Sequence, residues 1–205
     1  MPQEQQELKL PKKNHNERCS ACKDSVKKLL AAVFGSVETS WDLGLPSKIE
    51  EYRDRSVSED LDKIYKSLQT LRGNDKFVKS SRLPKVDFFI PGNNIIIEFD
   101  ESQHFTAPRE KALENYPLGL QVGFSIEKWR SLCQKLHQHD NDPFYRDEQR
   151  AWYDTLRDFA PSILGSGQTI RLYSRDLLWC SLNPQSESDL AIFKKTLYIF
   201  NGDIT

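Results

Sequence analysis

The 205-residue sequence has no apolar run long enough to cross a bilayer, so no membrane-spanning helix is expected. Cysteine is scarce, and four residues in a chain of this size do not suggest a disulfide framework. Residues 2–20 are polar and charged and lack the apolar core of a signal or transit peptide. No internal repeat is visible. Neither sign of charge dominates: 29 Lys and Arg stand against 30 Asp and Glu, a formal net charge of −1. No global basic field announces a nucleic-acid binder. These absences leave a soluble, cytoplasmic protein as the expectation. A hydrophobic content of 38%, with 11% aromatics, suffices for a packed core.

The charge that is present is uneven. Basic residues outnumber acidic ones in 1–86 (17 against 13), and the order reverses in 87–205 (12 against 17). The excess gathers at Lys9, Lys12, Lys13, Arg18, Lys23, Lys27 and Lys28, and again at Lys76, Lys79, Arg82 and Lys85. Either cluster reads as a phosphate-facing patch or as a solvated helix face.

Residues 1–18 read as a flexible polar arm, and 19–205 as a single domain. Val26, Leu29, Leu30, Val33 and Phe34 recur at helical spacing over 21–34, and Gly35 follows as a terminator. A second helix is expected over 58–72, with Leu61, Ile64, Leu68 and Leu71 as its stripe. Strands are expected at 76–79, 86–90, 95–100 and 169–173, with Pro91-Gly92-Asn93-Asn94 turning a hairpin. Further helices are expected over about 125–137, 145–159 and 189–200. Ser186 and Asp189 have capping-box spacing before the last of these, and Gly202 ends it. An α/β fold follows, a central mixed sheet flanked by helices.

The hairpin carries the chemistry. Ile95-Ile96-Ile97 and Phe99 mark a strand covered on both faces, yet Glu98 and Asp100 lie on it and share a side by strand alternation. Two buried carboxylates repel and lose hydration. A hard divalent cation would compensate both, with Asp87 across the hairpin as a further ligand. The alternative is a strand that emerges into solvent at Glu98, leaving ordinary surface acids.

The segment Asp87-Phe88-Phe89, then Ile97-Glu98-Phe99-Asp100, then Gln103-His104 resembles the active-site hairpin of the PD-(D/E)XK nuclease superfamily. Within it, the likeness is to the very-short-patch-repair-like branch. About twenty residues match closely, and the order helix–strand–strand–strand–helix–strand extends a weaker likeness over most of the chain. The resemblance implies a restriction-endonuclease-like core, with 105–142 as a helical insertion outside it. It implies phosphodiester hydrolysis of DNA by an endonuclease of site-specific restriction or repair type. One or two Mg²⁺ ions, replaceable by Mn²⁺, would be held by Asp87, Glu98, Asp100 and the backbone carbonyl of Phe99. His104 would serve as general base or acid. The superfamily lysine two residues after the glutamate is Asp100 here, and Asp24 stands where the first helix often has a glutamate. Lys85 or Arg82 would then supply the missing positive charge, with Lys79 and Arg150 as further DNA contacts. DNA is the expected partner, no membrane is involved, and a homodimer is left open. A catalytically silent nuclease fold that binds DNA or serves in assembly is the rival reading, kept open by Asp100.

One motif lies apart. Cys19-x-x-Cys22 is half of a zinc site, to which His15 could add a ligand and which Cys133 with His137 could close. Cys133 also falls in the apolar stripe of its helix, where a buried thiol is ordinary. A zinc-dependent interaction domain is therefore a third reading.

Overall fold

The computed structural model of the protein describes residues 15–165 and 167–199, the side chains of Tyr198 and Ile199 excepted. The hairpin forms as its sequence dictates. Val86–Ile90 (β2) and Ile95–Asp100 (β3) pair antiparallel, with Phe88 opposite Ile97 and Ile90 opposite Ile95. Asn94, at φ 52°, takes the left-handed turn conformation that asparagine tolerates. Gln168–Tyr173 (β4) runs parallel to β3, so a long crossover must connect them. Glu38–Trp41 (β1) pairs antiparallel with β2 at the other edge. The four-stranded mixed sheet has the order β1-β2-β3-β4, which leaves β3 between two neighbours and buried at every position.

Helices cover both faces. Phe88, Ile90, Ile95, Ile97, Phe99, Ile170 and Leu172 share one apolar cluster with Val26, Leu29 and Leu30 of Ser20–Phe34 (α1). Phe193 and Leu197 of Glu187–Ile199 (α6) join it, as does Trp179. On the opposite face, Val86, Ile96 and Tyr173 join a larger cluster built from Ser58–Arg72 (α2) and Arg146–Leu164 (α5). The protein is thus mixed α/β, with a mixed sheet flanked by helices. Among the described residues, no helix is long and apolar enough to cross a membrane.

Two expectations change. Residues 76–79 form no strand; Phe77 among them is fully buried, its ring centre 4.7 Å from that of Tyr65. The additional strand is instead β1. All four of its residues are exposed, and Ser40, at φ 51°, interrupts its alternation, so periodicity gives it no signature. Residues 105–142 pack onto the α2 and α5 face of the sheet. They fold into Ala107–Glu114 (α3) and Ile126–Leu136 (α4) and give Phe105, Leu113, Tyr116, Phe124, Trp129 and Cys133 to the larger cluster.

The α6 start is capped as spaced: the Asp189 amide donates to Ser186 Oγ at 3.4 Å. The Asp189 carboxylate, however, turns back to the amide of Asn183 at 2.9 Å. Residues 1–14, most of the expected arm, lie outside the described residues, as do Phe200 and Gly202. At the head of β4, Gly167 has φ +76°, and a Cβ there would lie 1.7 Å from the Asn94 carbonyl oxygen. Only glycine lets the crossover return this close to the hairpin turn.

Candidate active site and Cys/His cluster

Asp87 and Glu98 meet where β2 and β3 open. Asp87 Oδ2 accepts from the Phe99 amide at 3.0 Å, and Glu98 Oε1 accepts from the Asp87 amide at 3.3 Å. Amide and carbonyl of a strand residue face the same edge, so the Phe99 carbonyl lies on the Asp87 side. The Asp100 carbonyl faces the other edge, where the Ser174 amide donates to it at 2.8 Å. Lys23 of α1 donates to Asp87 Oδ1 at 2.8 Å. Lys23 and Lys27, four residues apart on one helical face, line a cleft of about 360 Å³ with Asp24, Thr39, Ser40 and Asp87.

The electrostatics differ between the two carboxylates. Asp87 is half-buried beside the cleft, whereas the Glu98 side chain is 6% exposed. Burial pushes the Glu98 carboxyl up to about 7, with Asp87 adding to it and Arg157 opposing. Burial alone would lower the Lys23 ammonium, but Asp87 raises it above its ordinary value.

Asp100 points to the same face as Glu98, as alternation requires, and its carboxylate is engaged by protein donors. Arg171 Nη1 donates to Asp100 Oδ1 and Oδ2 at 2.8 and 3.1 Å, and Trp129 Nε1 donates to Oδ2 at 2.7 Å. Arg171 Nε donates to Asp158 at 2.7 Å; Asp158 also accepts from Arg109 at 2.6 Å and from the Tyr116 hydroxyl at 2.7 Å. Arg109, Asp154, Asp158 and Arg171 are all buried. Arg171 of β4 thus sets a compensating charge against Asp100, and Arg109 of α3 does so for Asp158. Sequence reasoning missed these residues. Their signal was Asp154 and Asp158 in i,i+4 spacing, and one arginine at an inward position of β4.

His104 ends a single 3₁₀ turn, Ser102–His104. Its Nδ1 lies 2.8 Å from Asp154 Oδ2 and 3.7 Å from Asp100 Oδ1. Burial works against the imidazolium, yet Asp154 and Asp100 raise its pKa above the ordinary value. The Asp154 carboxyl, which burial alone would raise, is held well below its usual range by His104 and Arg171. Arg157 links this pair to the hairpin: Nη1 is 3.3 Å from Asp154 Oδ1, and Nε is 3.5 Å from Glu98 Oε1. That Nε is buried and makes no directed hydrogen bond.

The remaining basic residues scatter. Lys85 is exposed at the head of β2, although its carbonyl accepts from Arg157 at 3.4 Å. Arg82 is exposed, 3.7 Å from Asp42. Lys79 Nζ sits 4.5 Å from the Tyr145 ring centre. Arg150 is turned inward, donating to the Gln103 carbonyl at 2.9 Å and to Asp140 at 3.3 Å, so it braces the turn before His104.

On the α1 face of the molecule, His15, Cys19, Cys22 and Cys180 converge, one ligand atom from each lying within 4.8 Å of the others. Such a set could hold a metal such as zinc. Cys133, expected as the fourth ligand, is fully buried in the larger core cluster on the other side of the sheet. Cys180, in the 3₁₀ turn Trp179–Ser181, takes its place. A lone cysteine with no motif around it gave no signal.

No family model matches the chain, and no curated protein or solved structure shows significant similarity to it.

Proposed function

We propose that the protein is a divalent-metal-dependent DNA endonuclease of the PD-(D/E)XK kind. The observation that carries this reading is the convergence of Asp87 and Glu98 across the hairpin mouth, beside a cleft lined by Lys23 and Lys27. The element order supports it as well, with α1, β1, β2, β3, α5 and β4 as core and α2, α3, α4 and α6 as additions.

The donor set fits a hard cation: two carboxylates, one desolvated and short of compensation, with a strand carbonyl on the same edge. Asp87, Glu98 and the Phe99 carbonyl would hold Mg²⁺ or Mn²⁺; Asp100 is left out because Arg171 and Trp129 already hold its carboxylate. A cation there supplies Lewis-acid polarisation of the scissile phosphate and activation of water. Lys23, held against Asp87, would serve in place of the superfamily lysine and stabilise charge developing on the phosphate. Lys27 extends the positive edge of the cleft along the backbone. His104, fixed through Nδ1 by Asp154 and raised in pKa, suits protonation of the leaving oxygen better than abstraction from water. The near-neutral net charge favours selective over indiscriminate engagement, as a restriction or repair enzyme requires.

Incubation of plasmid and phage DNA with the protein and Mg²⁺ tests this directly. Discrete fragments that vanish in Glu98→Gln are expected. No cleavage of either DNA in Mg²⁺ or Mn²⁺ would end the enzymatic reading. A silent DNA-binding module is the second reading, favoured by the ammonium of Lys23 already neutralising Asp87. Metal-independent DNA binding without cleavage would support it.

A further inference from the structure

We infer that His15, Cys19, Cys22 and Cys180 form a structural zinc site that clasps the segment before α1 to the turn after β4. The geometry is already close to that of a bound ion. His15 Nε2 lies 3.1 Å from Cys22 Sγ and 3.9 Å from Cys180 Sγ, and all four ligand atoms fall within 4.8 Å of one another. Tetrahedral zinc with Zn–S bonds of about 2.3 Å separates its sulfurs by about 3.8 Å. Small side-chain rotations close the present set to that spacing. Three thiolates and an imidazole select a soft or borderline ion and reject Mg²⁺. The set closes with four protein ligands, the arrangement of a structural rather than a catalytic zinc.

The clasp reinforces an existing contact, in which Ser25 Oγ of α1 donates to the Leu182 carbonyl at 3.1 Å and Trp179 shares an apolar cluster with Val26 and Leu29. Cys19 and Cys22 open α1, where the Cys22 amide donates to the Cys19 carbonyl at 3.0 Å. Cys180 belongs to a turn about 160 residues later in the chain, next to fully buried Trp179. Between His15 and Cys19, Glu17 accepts from the Ser102 amide at 3.0 Å, and Arg18 donates to Gln103 at 3.1 Å. One turn after Cys19, Lys23 reaches Asp87. An ion here therefore fixes both the register of α1 against the hairpin and the turn that ends in His104. The inference rests on the thiols and not on the nuclease reading, so it holds equally for the Glu98→Gln protein.

The test is metal analysis of purified full-length protein, in the parent and the Glu98→Gln background. About one equivalent of zinc is expected in both. Cys180→Ser and His15→Ala should lose it, whereas Cys133→Ser should keep it. Because a cysteine variant can fail to fold, the parent is also stripped with chelator and refilled. Zinc at a hundred times its Kd should restore a Tm lowered by roughly 5–10 °C. Co²⁺ in its place should give the visible absorption of a tetrahedral thiolate complex, and hydrogen exchange over 15–23 should rise when the metal is removed. Zinc below about a tenth of an equivalent, a Cys19–Cys22 disulfide in its place, or zinc lost in Cys133→Ser but kept in Cys180→Ser would each overturn the assignment.

Discussion

Lys23 Nζ lies 2.8 Å from Asp87 Oδ1, joining the first turns of α1 to the start of the hairpin. Asp87 spends its other oxygen on the Phe99 amide, so one carboxylate ties helix, β2 and β3 together. The same contact carries the cation that the hairpin sequence lacks. If it acts on the phosphate, Lys23→Met should lower the cleavage rate on the order of 10²–10³-fold, the loss typical of one preorganised charge donor. Lys23→Arg should recover part of the loss. DNA affinity in Ca²⁺, which fills oxygen sites but activates water poorly, should fall by less than the rate. Equal rates for Lys23→Met and the parent would remove Lys23 from the chemistry.

Glu98 carries the sharpest separation between function and stability. Glu98→Gln should abolish cleavage, because the amide is a poor ligand for a hard cation. Its Tm without divalent metal should match or exceed that of the parent, since a buried carboxylate short of compensation is exchanged for a neutral group of the same shape. Thermal denaturation at pH 8 with chelator checks this. A large drop in Tm would mean that the Arg157 contact outweighs the desolvation of Glu98.

Asp100 should behave in the opposite way. Asp100→Asn leaves Arg171 buried beside Asp154 and Asp158 with its principal charge partner gone, at a cost of about 3–5 kcal/mol in unfolding free energy. The affinity for Mn²⁺ should stay within about twofold, well below the 1.4 kcal/mol that a tenfold change represents. Denaturant titration reads the first quantity, and metal titration of folded protein reads the second. A variant as stable as the parent that has lost its metal would return Asp100 to the ligand set.

His104 makes stability depend on pH. Its folded pKa is raised above 6.5, so the stabilisation is fully present below pH 6.5 and is lost as pH rises through the folded value. Unfolding free energy should therefore fall with rising pH from 6.5 upward, and His104→Gln should remove the part of that slope that persists above about 7, where the Glu98 carboxyl has already titrated. If the histidine also donates a proton in the slow step, the same variant should lose about 10²–10⁴ in cleavage rate. A rate loss without a change in the stability slope would place the titrating group elsewhere.

The sequence by itself determined the hairpin. Alternation and β-branching placed β2 and β3, and the three isoleucines announced a strand buried on both faces before any neighbour was known. The same local patterns placed the cores of α1, α2, α4 and α5, because a helical stripe is written within a few turns. Asp87, Glu98 and the Cys19-x-x-Cys22 pair were legible for the same reason, lying within one short segment each. What pairs with what was decided only by tertiary structure. The exposed edge strand β1 has no pattern of its own and exists because β2 offers it a partner. Asp100 carries the same chemistry as Glu98 in the sequence, yet Arg171, set opposite Glu98 by the β4 register, reaches diagonally to Asp100, and α4 adds Trp129. Cys180 enters the metal set, and Cys133 leaves it, because the chain path after β4 returns to the head of α1 while α4 packs beyond the sheet. Compensation of buried charge and assembly of ligands act across space, between segments far apart in sequence, and periodicity along the chain carries no record of them.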